Sequence, residues 1–249
     1  MRATITPTLG PRRIPNSARS EIVVVSGTGT GVGKTVLTTL LARRARELGQ
    51  GVSALKPLCS GGRGDAVLLR AAGDPGRTLD DVNPWHFRAS LAPLMAARRE
   101  GRRISLGEVL RFVRSARRRG GVVLVEGAGG LRSPLGEDFD TRDLLVRLGA
   151  TPVVVGANRL GVLNEVLLTV DALPIRPRSR AVVVLMTGAR RTVVADTNVE
   201  WLGARLGPDR VVEVPWIRGW PEAARKQVEG AVIGAVDRVW KALGASWLR

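Results

Sequence analysis

The sequence predicts an α/β fold, a doubly wound and mostly parallel sheet in a single domain, and three observations predict it. Short, near-continuous β-branched apolar runs recur along the chain, as expected for strands covered on both faces. Longer segments with helical spacing separate them, and strand alternating with helix implies right-handed crossovers. The first run leads at once into a glycine-rich turn and a further helical stretch.

In chain order the predicted strands are 22–25, 52–55, 122–125, 153–155, 182–185 and 211–214. The helical segments are 35–48, 104–118, 139–149, 162–172, 195–206 and 221–244. Segment 57–103 is less regular, and no internal repeat or break in composition divides the chain. Residues 1–20 are basic, lack an apolar period and hold no acid, so they are expected to form a poorly ordered tail ahead of a domain over 21–249. They lack the apolar stretch of a secretory signal; an organelle-targeting segment is the alternative reading.

Composition narrows the function classes. A chain of 249 residues, 44% hydrophobic and 24% charged, can bury a full core without disulfide staples. Its single Cys59 points to a reducing, cytoplasmic setting. No apolar run approaches the roughly 18 residues of a membrane span. The net charge of +17 suggests a polyanion partner. Nearly all of it is arginine, scattered along the chain with no aromatic-interleaved patch, and neither a nucleic-acid nor a membrane partner is expected. The only lysines are Lys34, Lys56, Lys226 and Lys241.

The loop after the first strand reads Gly27-Thr28-Gly29-Thr30-Gly31-Val32-Gly33-Lys34-Thr35, with Val36 continuing into the helix. Successive backbone N–H groups and a helix N-terminus surround a phosphate in such a phosphate-binding loop, Lys34 reaches the outer phosphates and the Thr35 hydroxyl suits Mg²⁺. The usual spacing places a glycine five positions before Gly33, where Thr28 stands, so this loop is longer than the common form. Strand 122–125 ends in Glu126-Gly127-Ala128-Gly129, a strand-end carboxylate followed by small residues that let a ligand approach. At the end of strand 52–55, Lys56 is an ammonium in a chain that otherwise uses guanidinium, which singles it out for catalysis or charge stabilisation. Asp65 follows as a second candidate Mg²⁺ carboxylate.

Together with Lys56-Pro57, Val82-Asn83-Pro84, Leu160-Gly161 with Asn164, and Pro215-Trp216, these motifs resemble the dethiobiotin synthetase family in order from about residue 22 to 222. The resemblance implies a phosphate-loop NTPase-like domain that uses ATP and Mg²⁺ to close a ring on 7,8-diaminononanoate with CO₂. It implies that Lys56 and Lys34 stabilise developing negative charge, that Thr35, Asp65 and Glu126 hold Mg²⁺, and that Ser60 contacts the diamine. It places the nucleotide on residues 29–36, Asp65, 126–129, Met186, Thr187, Pro215, Trp216, Ile217 and Glu222. It further implies a homodimer in which Leu160, Gly161 and Asn164 of one copy receive the substrate carboxylate of the other.

Departures accompany the match. Relatives carry acids where this chain has Gly29 or Gly31, and an adenine-reading Asn where it has Met186, so base discrimination is expected to be relaxed. Trp216 reads as a base-side residue or a core residue. His86 and Cys59 are expected to be packed, satisfied side chains, and Trp201, Trp220, Trp240 and Trp247 packing or dimer contacts. A partition-type ATPase would carry a signature lysine where Gly29 stands, and a glutamine-dependent synthase of this fold needs a further domain. A non-catalytic nucleotide-binding regulator is the remaining alternative.

Overall fold

The computed structural model describes residues 21–117, 121–222, 229–245 and 247; the expected tail, 1–20, lies outside them. Six strands form one parallel sheet: β1 (Ile22–Gly27), β2 (Val52–Leu55), β5 (Val122–Glu126), β6 (Thr151–Asn158), β7 (Val182–Thr187) and β8 (Val211–Val214). Their spatial order is β2-β5-β1-β6-β7-β8. Every residue of β1 is buried, as a central strand between two neighbours and two layers of helices requires.

The helices are α1 (Lys34–Glu47), α2 (Gly64–Gly73), α3 (Pro93–Arg99), α4 (Leu106–Arg117), α5 (Thr141–Leu148), α6 (Val162–Asp171), α7 (Ile175–Ser179), α8 (Val193–Leu206) and α9 (Gly230–Ala242). Alternation along β1 divides the core between the sheet's two faces. Val24 packs with Val123, Val125, Val109 and Leu144, whereas Val23 and Val25 pack with Leu37, Leu41 and Trp240. In α4 the buried residues are Val109, Leu110, Val113 and Ala116, a single stripe at helical spacing.

The irregular 57–103 segment contains elements that the sequence pattern did not separate. Two three-residue strands, β3 (Leu58–Ser60) and β4 (Trp85–Phe87), pair in parallel as a small second sheet against α3, with α2 between them in the chain. Three residues are too few for a period to show. His86 falls on β4, its Nε2 2.6 Å from the Gly61 carbonyl oxygen, so it is a satisfied side chain as expected. The expected helix 221–244 begins only at Gly230; Pro221 and Glu222 lie outside it, and residues 223–228 are not among those described. Trp240 is fully buried and meets Trp247 edge-on at 5.0 Å.

Part of the arginine excess has a local use. The last carbonyls of a helix have no partner within it. Arg46 donates to the carbonyls of Ala71 and Ala72 at the end of α2, and Arg114 to that of Arg147 at the end of α5. Arg178 donates to the Asp171 and Leu173 carbonyls after α6, and Arg210 to that of Arg178 at the end of α7.

At the start of α5, Asp140 accepts from the backbone N–H of Asp143, whose own carboxylate accepts from the Asp140 N–H, a reciprocal cap. Gly149 ends the same helix in the left-handed region at φ 62°. Asp140→Ala is expected to lower stability by about 1 kcal/mol, the ordinary worth of an N-cap side chain, measured as a lower urea midpoint with an unchanged slope.

Candidate active site

Parallel sheets bind ligands beyond the carboxyl ends of their strands, where the chain's direction of winding reverses. Here the chain leaves β1 toward β2 on one side and passes to β6 on the other only after β5. Register brings the site together: Val25 of β1 lies opposite Glu126 of β5, and Gly27 opposite Val155 of β6. The strand-end carboxylate therefore stands beside the loop that follows β1.

That loop folds over the N-terminus of α1. Gly33, at φ 100°, is in a region that suits glycine. A Cβ on Gly27 would come within 2.7 Å of the Val32 side chain, so the turn closes only on a bare α-carbon. The Lys34 ammonium donates to the Gly29 carbonyl at 2.6 Å and lies along the loop it serves. Burial pushes the pKa of Lys34 down to about 8, against the pull of Glu126 and with a further push from the Lys56 charge.

Beside it, the Lys56 ammonium donates to Asp65 Oδ2 at 2.6 Å and to Glu126 Oε1 at 2.5 Å. Thr35 donates its hydroxyl to the same Glu126 oxygen at 2.7 Å. Burial works against the Lys56 charge, but Glu126 and Asp65 outweigh it and hold its pKa above the usual lysine range. Glu126 is 1% exposed, and its second oxygen, Oε2, has no hydrogen-bond partner. A buried carboxylate oxygen left unpartnered, next to a hydroxyl and a second acid, is a donor set for a hard oxygen-liganded cation, and Mg²⁺ fits Thr35, Asp65 and Glu126. Among the described residues no three His, Cys, Asp or Glu side chains are grouped so that they could hold a metal ion between them.

These groups line one cleft of about 700 Å³. Of the residues expected at the phosphates, Thr30, Gly31, Gly33, Lys34, Thr35, Val36, Lys56, Asp65, Glu126, Ala128 and Gly129 border it, as does Ser60. Gly29 and Gly127 do not border it; a Cβ on Gly127 would come within 2.8 Å of Thr141 Oγ1. A second cleft of about 390 Å³ is lined by Val32, Met186, Thr187, Pro215, Trp216 and Ile217, sharing Gly31, Gly33 and Val36 with the first. Trp216 is 55% exposed, which removes the core reading of that residue. Glu222, Leu160, Gly161 and Asn164 border neither cleft.

The sequence reading missed the opposite wall, Ser90, Leu91, Ala92 and Pro93, together with Ser133. Nothing in the spacing of those residues announced it, because the loop reaches the site only through the β3–β4 pairing. Trp220, expected to pack or to contact a second copy, borders both clefts. Cys59 is buried, its thiol donates to Asn83 Oδ1 at 3.0 Å, and burial raises its pKa, as expected of a packed residue.

A six-stranded parallel sheet, a phosphate loop on its first strand and a strand-end acid define a phosphate-loop nucleotide-binding protein. The MinC:MinD cell division complex of Aquifex aeolicus (TM-score 0.60, 16% identity, 91% of this chain and 97% of that one) shares the fold. So does pNOB8 ParA bound to nonspecific DNA (TM-score 0.52, 12% identity, 91% and 99%). A family model described as an AAA domain matches residues 21–221. An ATP-dependent dethiobiotin synthetase BioD from Anaeromyxobacter sp. strain K is 37% identical over 217 residues, covering 85% of this chain and 96% of its own. One from Mycolicibacterium vanbaalenii is 38% identical, covering 88% and 97%. The chain belongs to the ATP-dependent dethiobiotin synthetase family.

If Lys56 is the counter-charge of Glu126, removing it strands a buried anion. Lys56→Met is expected to cost about 3 kcal/mol of unfolding free energy, and Lys56→Met with Glu126→Leu to recover part of that loss, read from urea denaturation.

Proposed function

We propose that this chain closes the cyclic urea of dethiobiotin, a ligase step of biotin synthesis, using a nucleoside triphosphate. 7,8-Diaminononanoate takes up CO₂ as a carbamate on one amine. A carbamate oxygen attacks the γ-phosphorus and the nucleoside diphosphate leaves. The second amine then attacks the carbamoyl carbon, and phosphate departs with that oxygen as the ring closes. The observation that carries this reading is Lys56, held between Glu126 and Asp65 in the same cleft as the phosphate loop.

The carbamate, its anhydride with phosphate and the nucleotide phosphates are anionic, so the protein's work is positioning and charge stabilisation. Lys34 and Lys56 supply fixed positive charge on either side of the transferred phosphoryl group. Thr35, Asp65 and Glu126 would hold Mg²⁺, which when bound neutralises charge on the phosphate oxygens. Ser60 donates its hydroxyl proton to the Leu91 carbonyl at 2.5 Å, which turns its lone pairs toward an N–H of the diamine.

Leu160 and Asn164 are exposed, and Gly161 starts α6, outside the cleft of their own chain. That placement supports a homodimer in which they serve the substrate carboxylate of the partner. Among the described residues no helix is long and apolar enough to cross a membrane.

The second cleft takes the base. Two of its polar side chains, Asn158 and Thr187, already have partners: Asn158 donates to Thr187 Oγ1 and the Ala195 carbonyl, and Asn198 donates to Asn158 Oδ1. Thr187 in turn donates to Glu213 at 2.6 Å. Met186 offers only a thioether, so the base is held by contact and stacking against Met186 and Trp216 instead of by reading its edge.

Two outcomes test this reading. With diaminononanoate, bicarbonate and Mg²⁺, Lys56→Ala is expected to bind nucleotide as the parent does and to lose at least about a hundredfold in kcat, measured by dethiobiotin mass and phosphate release. Full activity would remove Lys56 from the mechanism, and phosphate release independent of the diamine would point to a generic ATPase. Values of kcat/KM for ATP, CTP and GTP are expected to lie within about tenfold, the worth of 1.4 kcal/mol. A strong preference for ATP would show that backbone groups read the base.

A further inference from the structure

We infer that Asn83 is a positioning residue for the reaction, fixing the Lys56 ammonium relative to Asp65 by tying the end of β2 to the start of α2. The inference rests on the role given to Lys56 above. Asn83 is 0% exposed, and burying an amide is costly unless its hydrogen bonds are made. All of them are made, and all to one stretch of chain. Its Nδ2 donates to the Lys56 carbonyl at 2.7 Å and to the Pro57 carbonyl at 3.3 Å. Its Oδ1 accepts from Cys59 Sγ at 3.0 Å and from Arg63 Nε at 3.1 Å.

The neighbouring backbone repeats the pattern. Lys56 N–H donates to the Val82 carbonyl at 3.0 Å, and Arg63 Nη2 donates to the Asn83 carbonyl at 2.7 Å and to Asp80 at 2.6 Å. Arg63 immediately precedes α2, and Asp65 sits in the first turn of that helix. One amide thus holds the backbone that carries the ammonium and, through Arg63, the helix end that carries one of its two carboxylates. A core residue needed only for packing would be apolar, or would bond to its surroundings at large. The Asn83 side chain bonds only within 56–63, the segment bearing Lys56, Cys59, Ser60 and Arg63.

Misplacing a catalytic group by about 1 Å can cost on the order of a hundredfold, so the tie is expected to act on kcat. Arg63→Gln is the primary test, because Arg63 is partly exposed and its loss leaves the core intact. It is expected to lower kcat about tenfold or more, with nucleotide KM and binding stoichiometry changed by less than about twofold. In a Lys56→Ala background the same substitution is expected to change the residual rate by less than about twofold, because both act through one group. Asn83→Ser is expected to lose more than Arg63→Gln, and the double variant no more than Asn83→Ser. A kcat for Arg63→Gln within twofold of the parent, a loss confined to KM, or an equal loss in both backgrounds would overturn the inference. Full activity of Lys56→Ala overturns the role of Lys56 and this inference with it; an inactive Lys56→Ala beside an unimpaired Arg63→Gln overturns this inference alone.

Discussion

The interaction on which the rest depends is the contact of the Lys56 ammonium with Glu126 and Asp65. Desolvating a carboxylate and an ammonium at a sheet end costs several kcal/mol for each ion, and their attraction offsets this only with close geometry and further hydrogen bonds. The structure provides both: a 2.5 Å contact to Glu126, another at 2.6 Å to Asp65, and the Thr35 hydroxyl on the same glutamate oxygen. Stability alone does not require ions here, since apolar residues of like volume are expected to restore part of what loss of Lys56 alone would cost. On the function proposed above, charge is kept there to meet anionic chemistry, and the surrounding fold has to hold it in place.

Much of the fold reads as the means of doing so. Parallel register sets Glu126 level with Val25, just below the phosphate loop, and β2 pairs with β5 so that Leu55 lies opposite Val125. Lys56, the next residue, therefore emerges beside Glu126 with little freedom. Asp65 comes from a different source, the first turn of α2, where its charge also favours the helix dipole. Its side chain is half exposed, while that of Glu126 is wholly buried. One acid is thus a fixed part of the sheet and the other a surface group brought to it.

The parts of the site that were legible in the sequence are those whose chemistry lies in contiguous residues. The phosphate loop, the strand-end glutamate and the rare lysine each carry a local signal, and the strands around them are long apolar runs. What could not be read depends on distant pairing. Ser90 to Pro93 reach the cleft because Ser60 and Phe87 are partners in a three-residue ladder, and no period survives in so short an element. The purpose of Asn83 was equally hidden, since a polar residue in an irregular stretch reads as a turn until its partners are known. The local use of the arginines was hidden for a related reason: several that look like surface charge in a string of letters reach helix ends far away in sequence.

The approach of Gly33 to Met186 links the two ends of the nucleotide. A Cβ built on Gly33 would come within 2.7 Å of Met186 Cγ, so the residue proposed to meet the base also lies against the phosphate loop. Whatever occupies position 186 has to satisfy two neighbours at once, and its size is limited by a backbone that cannot retreat without losing the phosphates. An unbranched, pliant thioether meets that demand. On the base-binding role proposed above, a change of base preference through position 186 is confined to side chains slender enough to leave the phosphate loop undisturbed.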